Sequence, residues 1–211
     1  MLHSNKLQFA SINPFVKLTL AIRIAKIHNA RNAKAADQAD MTVVELAALF
    51  HDLFDSKYQS VHVSAAPLDV TSWLTTRGVA ADQTALIVKI MSNVSYSKEI
   101  LRRRDGGWTV WHESCVELHC VMDADKLDAL GGFGIARCFA YSGAKNYPLL
   151  LPDNDEKYDN CAVAHYAEKL FRLESMMMTD SGRKAAEKRT EIMRRVVQQI
   201  MEEDQLLDLN E

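Results

Sequence analysis

The stretch AALFHDLFD, residues 47–55, sets His51 and Asp52 side by side between Phe50 and Leu53, on a segment whose apolar spacing otherwise describes an inward-facing helix. His51 shares a stripe with Val44, Ala47, Ala48 and Asp55, because residues four and seven apart stack on one helical face. A carboxylate on such a face is costly to bury unless a cation or several donors compensate it. A divalent ion set between imidazole and carboxylate would satisfy both, although neighbouring helical residues diverge by about 100°. The simpler alternative is an ion pair, or an imidazole bonded to a backbone carbonyl with the aspartate in solvent. A second acidic stretch, CVMDADKLDALGGFGIARCF at 120–139, carries Asp123, Asp125 and Asp128 among Val121, Ala124, Leu127, Ala129 and Leu130. Asp125 and Asp128 fall on one face and Asp123 on another, so they cannot all serve one ion. The structural alternative is that they cap the glycine-rich turn and pair with Lys126 or Arg137.

These groups need helices to hold them, and the chain supplies helical spacing almost throughout. Leu18, Ala21, Ile22 and Ala25 form a first stripe ending near HNARN. Val43, Val44, Ala47 and Ala48 form a second, entered at Thr42 with Glu45 three residues on, the capping-box pattern. Further helices are expected over PLDVTSWLTTRG, from Pro67 to Gly78, and over ADQTALIVKIMSNV. The polar run SKEILRRRDGGWTVWHES reads as a loop. One or two helices cover 114–143, interrupted at Gly131, Gly132 and Gly134, and two long amphipathic segments cover 160–178 and 182–204. With only eight Gly and four Pro and no alternating strands or repeats, the expected fold is all-α, a single helical domain over 1–211 with an irregular start at 1–13.

Composition excludes several functions. A net charge of −3 over 211 residues with 48% hydrophobic content fits a globular protein with a sizeable core, and no basic block suggests a nucleic-acid partner. No run of about 18 apolar residues suggests a membrane span, and the first residues lack a signal pattern, so a cytoplasmic protein is expected. Cys115, Cys120, Cys138 and Cys161 show no metal-type spacing and read as buried reduced thiols. The MMM run at 176–178 reads as core packing, and His112 and His119 as surface or core histidines.

ELAALFHDLFDSKY, IVKIMSNVSYS, VMDADKLDALGGFGIARCFAYSG and HYAEKLFRLESMMMTDSGRKAAEKR together resemble the HD-domain metal-dependent phosphohydrolases, in particular the small single-domain group with a DADRLDAIGAIGIAR signature. The resemblance spans about residues 18–203. It implies an all-helical fold around a divalent ion, Mn²⁺ or Mg²⁺, bound by a His, then a His-Asp dyad, then a distant Asp. It also implies hydrolysis of phosphate esters or anhydrides, nucleotides among them. His51 and Asp52 match the dyad, and Asp125 matches the distant carboxylate with Asp123 as the neighbouring candidate. Asp55 and Lys57 match polar positions near the substrate, as a carboxylate orienting water and an ammonium holding phosphate, or else as ordinary surface groups. Arg137 matches as a phosphate contact or an internal ion-pair partner, and Lys89 and Lys126 are further candidate phosphate anchors.

The chain departs from the family at its start. The family's first ligand lies in a HDxxHxxRV pattern, and registration on LAIRIAKI puts Asn13 at the ligand histidine and Val16 at the arginine. His3 and His28 are the other imidazoles nearby. Either the chain start is truncated or replaced relative to a catalytic parent, or the protein is a divergent member with a weak metal site. One imidazole and two carboxylates can still hold a hard cation with water completing its shell. The rival expectation is a degenerate, non-catalytic module that binds ligand or protein, with a nucleotide sensor as a third.

Overall fold

The structure, a computed structural model, describes residues 15–54, 69–152 and 154–207; Asn13, Asp55, Lys57, Pro67 and the expected irregular start at 1–13 lie outside the described residues. Among the described residues there is no strand, and the expected all-α class holds. The helices are α1 (Phe15–Arg31), α2 (Met41–Phe50), α3 (Val70–Thr76), α4 (Ala81–Met91), α5 (Tyr96–Arg104), α6 (Val110–Ser114), α7 (Val116–Asp128), α8 (Gly131–Ala144), α9 (Ala164–Glu168) and α10 (Asp180–Leu207). The backbone gathers into two compact units, Phe15–Asp128 with Met177–Ala185, and Ala129–Met176 with the chain from Ala186.

In the first unit α1, α2 and α7 pack against one another, and α2 also packs on α4. Their shared core is made of Ala21, Ile24 and Ala25 of α1, Val43, Val44, Ala47 and Ala48 of α2, and Leu118, Val121, Met122 and Leu127 of α7. Buried alanines on α1 and α2 alternate there with larger side chains such as Ile24, Leu118 and Met122. Polar clamps fix the register. Asp40, not Thr42, caps α2, accepting from the backbone N–H of Thr42 (2.8 Å) and Val43 (3.2 Å). Its other oxygen accepts from Gln83 on α4 at 2.6 Å, and its own N–H donates to Glu117 on α7 at 2.9 Å. The Asn29 side chain bonds both ways to the Ala39 backbone, at 2.9 and 2.8 Å, and closes the turn between α1 and α2.

The polar run at 97–114 is two short helices, α5 and α6, rather than a loop. Its periodicity is hidden because the inward residue of α5 is a charge: Glu99 is fully buried. Lys126 of α7, 3% exposed, reaches it at 2.8 Å, and Arg103 one turn along reaches it at 3.1 Å while its guanidinium lies 3.8 Å over the Trp108 ring. Lys126 is therefore an internal counter-ion and not a phosphate anchor.

In the second unit, Tyr166 of α9 is fully buried between Phe139 and Phe171, each ring 5.8 Å away. The helix expected over 160–178 is only α9, followed by a tighter 3-10 stretch at Leu170–Met176. Lys169, at φ −131°, breaks the pitch between them, so one apolar stripe runs over two helix types. Gly131 opens α8 at φ +77°, a conformation that favours glycine, with the Arg189 side chain against its Cα.

Removing one partner of a buried ion pair strands the other charge. Glu99→Ala should lower the unfolding free energy by about 3–5 kcal/mol, with much of the loss recovered in a Glu99→Met, Lys126→Met double variant. Urea denaturation of the three proteins checks both parts.

Candidate metal centre

His51 sits where α2 ends. Its backbone N–H still donates to Ala47, and the chain then tightens into a 3-10 turn over His51–Phe54. With about three residues per turn the step between neighbours is wide, and the dyad straddles a point between its two side chains. The Nδ1 of His51 lies 2.8 Å from the Ala48 carbonyl oxygen, which can only accept, so Nδ1 carries a proton and Nε2 is the ring nitrogen presented to the site. Nε2 is 3.1 Å from Asp52 Oδ1 and 3.5 Å from Asp125 Oδ1, the latter projecting from α7. Ligand atoms of these three side chains all lie within 4.8 Å of one another. Neighbouring ligands of an octahedral ion with bonds of about 2.1 Å are about 3 Å apart, so the observed spacing and the nitrogen and oxygen donors fit a hard divalent cation.

A fourth side chain shares this place. Lys17, in the first turn of α1, puts Nζ 2.6 Å from Asp125 Oδ1, 3.2 and 3.1 Å from the two oxygens of Asp52, and 3.4 Å from His51 Nε2. The His51 side chain is 7% exposed, Asp125 26% and Asp52 42%, so the carboxylates open toward solvent while the imidazole does not. Burial alone would lower the pKa of His51, but hydrogen bonds to Asp125 and Asp52 and their charges outweigh it and raise it to about 9. Burial would likewise raise Asp52 and Asp125, yet the hydrogen bonds from His51 and the charges of His51 and Lys17 hold both below the usual carboxylate range. Lys17 is pushed above its ordinary value because the two aspartates outweigh the cost of burial.

Asp123 takes no part in this cluster. It is fully buried on the other side of α7, where its carboxylate accepts from the backbone N–H of Met178 (2.9 Å) and Thr179 (2.8 Å) and the Thr179 hydroxyl (2.7 Å), just ahead of α10. Gly182 lies against the same carboxylate, and a Cβ there would collide with Asp123 Oδ2. Burial pushes the Asp123 pKa up, against the opposing pull of those hydrogen bonds. Asp123 therefore anchors the start of α10, a structural task that its two-residue offset from Asp125 makes separable.

The remaining sequence candidates also have places. Lys89 lies 3.9 Å over the Trp111 ring, and His28 Nε2 lies 2.9 Å from the Asp37 carbonyl oxygen. His112 is buried, with Nε2 3.0 Å from Asn93 Oδ1, and His119 lies 2.8 Å from the His112 carbonyl. The four cysteines are buried and unpaired in disulfides. Arg137 lines a cavity of about 260 Å³ in the second unit, together with His165, Lys169, Tyr141 and Tyr147. Sequence reasoning missed Lys17. Its signal was the inward stripe itself: the residue four before Ala21 and seven before Ile24 is a lysine, and those two are 0% and 5% exposed.

No family model matches the chain. It is 37% identical over 165 residues, 78% of its own length and 73% of the relative's, to the uncharacterised protein YpgQ of Bacillus subtilis. A crystal structure of YpgQ aligns with a TM-score of 0.68 at 32% identity, covering 90% of this chain and 86% of that one, and a crystal structure of YpgQ in complex with ADP aligns at 0.66 with the same identity and coverage. An HD-superfamily hydrolase from Bacillus thuringiensis aligns at 0.63, with 25% identity over 92% of this chain and 87% of that one. Fold and cluster together define an all-helical protein of the HD-like class. Within it, the chain belongs to the family of B. subtilis YpgQ.

The raised pKa of His51 carries a stability consequence in protein stripped of divalent ions. The imidazolium stabilises the fold fully below its ordinary pKa of 6.5, and that contribution is lost as pH rises through about 9. Denaturation across that window should show stability falling in the parent chain and a flatter profile in His51→Gln.

Proposed function

We propose that the protein is a metal-dependent phosphohydrolase acting on nucleotides or other small phosphate esters and anhydrides, with Mn²⁺ or Mg²⁺ held by His51 Nε2, Asp52 and Asp125. The observation that carries this reading is the convergence of an imidazole and two carboxylates, from the 3-10 turn after α2 and from α7, at ligand-to-ligand distances of 3.1 and 3.5 Å. Membership of the YpgQ family, together with the ADP complex of YpgQ, supports a nucleotide as substrate class.

When bound, the ion supplies positive charge to a phosphoryl group and acidifies water beside it. The chain's own residues do the positioning. The Ala48 carbonyl fixes the ring of His51 with Nε2 inward, and the half-exposed Asp52 leaves the solvent side open to an incoming phosphate. Asp55, immediately after the 3-10 turn, is assigned the acceptance of the water's proton, and Lys57 the holding of a substrate phosphate, both on the strength of the family resemblance.

One observation favours a second reading, a non-catalytic HD-fold module that binds ligand or protein: the ammonium of Lys17 already pairs with both candidate carboxylates.

Metal analysis of purified protein, followed by a screen of nucleotides and phosphate esters with Mn²⁺, separates the two. The hydrolase reading expects stoichiometric metal and turnover, both abolished in His51→Ala and Asp125→Asn. Asp123→Asn should instead keep its metal while losing about 1–3 kcal/mol of stability from hydrogen bonds left unmade. Absence of metal and of turnover in every protein would leave the binding module.

A further inference from the structure

We propose that Lys17 and a divalent cation compete for the same side chains, so that the chain carries its own replacement for the ion; this rests on the assignment of His51, Asp52 and Asp125 as ligands made above. A single atom, Lys17 Nζ, is within 3.4 Å of a candidate donor atom of each. An ammonium nitrogen sits about 2.8 Å from a carboxylate oxygen and a divalent ion about 2.1 Å from it. The two positions overlap, and two positive centres cannot share them.

Charge points the same way. Two carboxylates face each other across a part-buried site, and like charges so close are unfavourable without a cation between them. Lys17 provides that cation through contacts to both aspartates. The fold delivers it there: its Cα lies on the inward stripe of α1, the helix that packs on both α2 and α7. The contact is nevertheless of a displaceable kind. The lysine side chain is 22% exposed, rises from the first turn of its helix, and has a flexible four-carbon stem. A buried lysine locked on all sides would exclude the ion; one with an open side competes with it.

A different role would put Lys17 beside the ion as a contact for substrate phosphate. The two roles predict opposite results for metal affinity. Competition means that removing the ammonium frees the ligands; a phosphate contact means that metal binding is indifferent to it and that only the substrate KM responds.

Calorimetric titration with Mn²⁺ and with Mg²⁺ at one fixed pH, on the parent chain, Lys17→Met, Lys17→Gln and His51→Ala, decides between them. Competition expects both Lys17 variants to bind Mn²⁺ about tenfold tighter or more, given the repulsion between charges this close. They should also melt lower than the parent chain without metal, and gain more from added Mn²⁺. Lys17→Gln keeps a polar side chain of similar length, so the measurement survives if Lys17→Met fails to fold. Equal or weaker Mn²⁺ affinity in the Lys17 variants, alongside binding by the parent chain that is lost in His51→Ala, overturns the competition and leaves the hydrolase reading intact. No Mn²⁺ binding by any of the proteins overturns both.

Discussion

Two carboxylates and an imidazole brought together in a part-buried place demand positive charge, and the surroundings of the site follow from how that demand is met. Asp52 and Asp125 are close enough to repel, and His51 is too buried to be bathed in counter-ions. In the structure the demand is met by Lys17 and by the proton that the aspartates hold on His51 well past neutral pH. A divalent ion would meet it with greater charge density and a stricter geometry. The mutual packing of α1, α2 and α7 over one shared core brings the four side chains within one hydrogen-bonded cluster.

The surrounding polar groups are placed with the same economy. Glu99, Lys126 and Arg103 form an ion network on α5 and α7, so the lysine next to Asp125 in sequence is withheld from the cluster. Asp123, two residues earlier, turns to the opposite side and holds the backbone ahead of α10. On one helix, then, four successive residues serve four destinations: the α10 anchor, the core through Ala124, the ligand cluster and the ion pair. Helical geometry makes this possible, since neighbours step about 100° around the axis.

The sequence made the helical class legible through apolar spacing, and α1, α4 and α10 fall close to the stripes that pointed to them. It failed where the inward residue was charged. Glu99 gives α5 the pattern of solvent-facing chain, and Lys17 on α1 reads from the sequence as an interruption of a core stripe rather than as part of a site. Helical spacing divides Asp123 and Asp125 between two faces, but which face meets the dyad depends on the packing of α7 against α2, which no local pattern encodes. The cap of α2 lies two residues earlier than the Thr42 and Glu45 pattern suggested, because Asp40 is also bonded to Gln83 and Glu117. Tertiary partners chose among locally equivalent caps.

The close approach of Gly182 to the Asp123 carboxylate binds the histories of two distant positions together. A side chain can enter at 182 only where the Asp123 carboxylate and the Thr179 hydroxyl bonded to it have shifted or been replaced. Aligned relatives with a side chain at 182 should therefore also differ at 123 or 179, a covariation that follows from a steric limit and is independent of any chemistry at the neighbouring ligands.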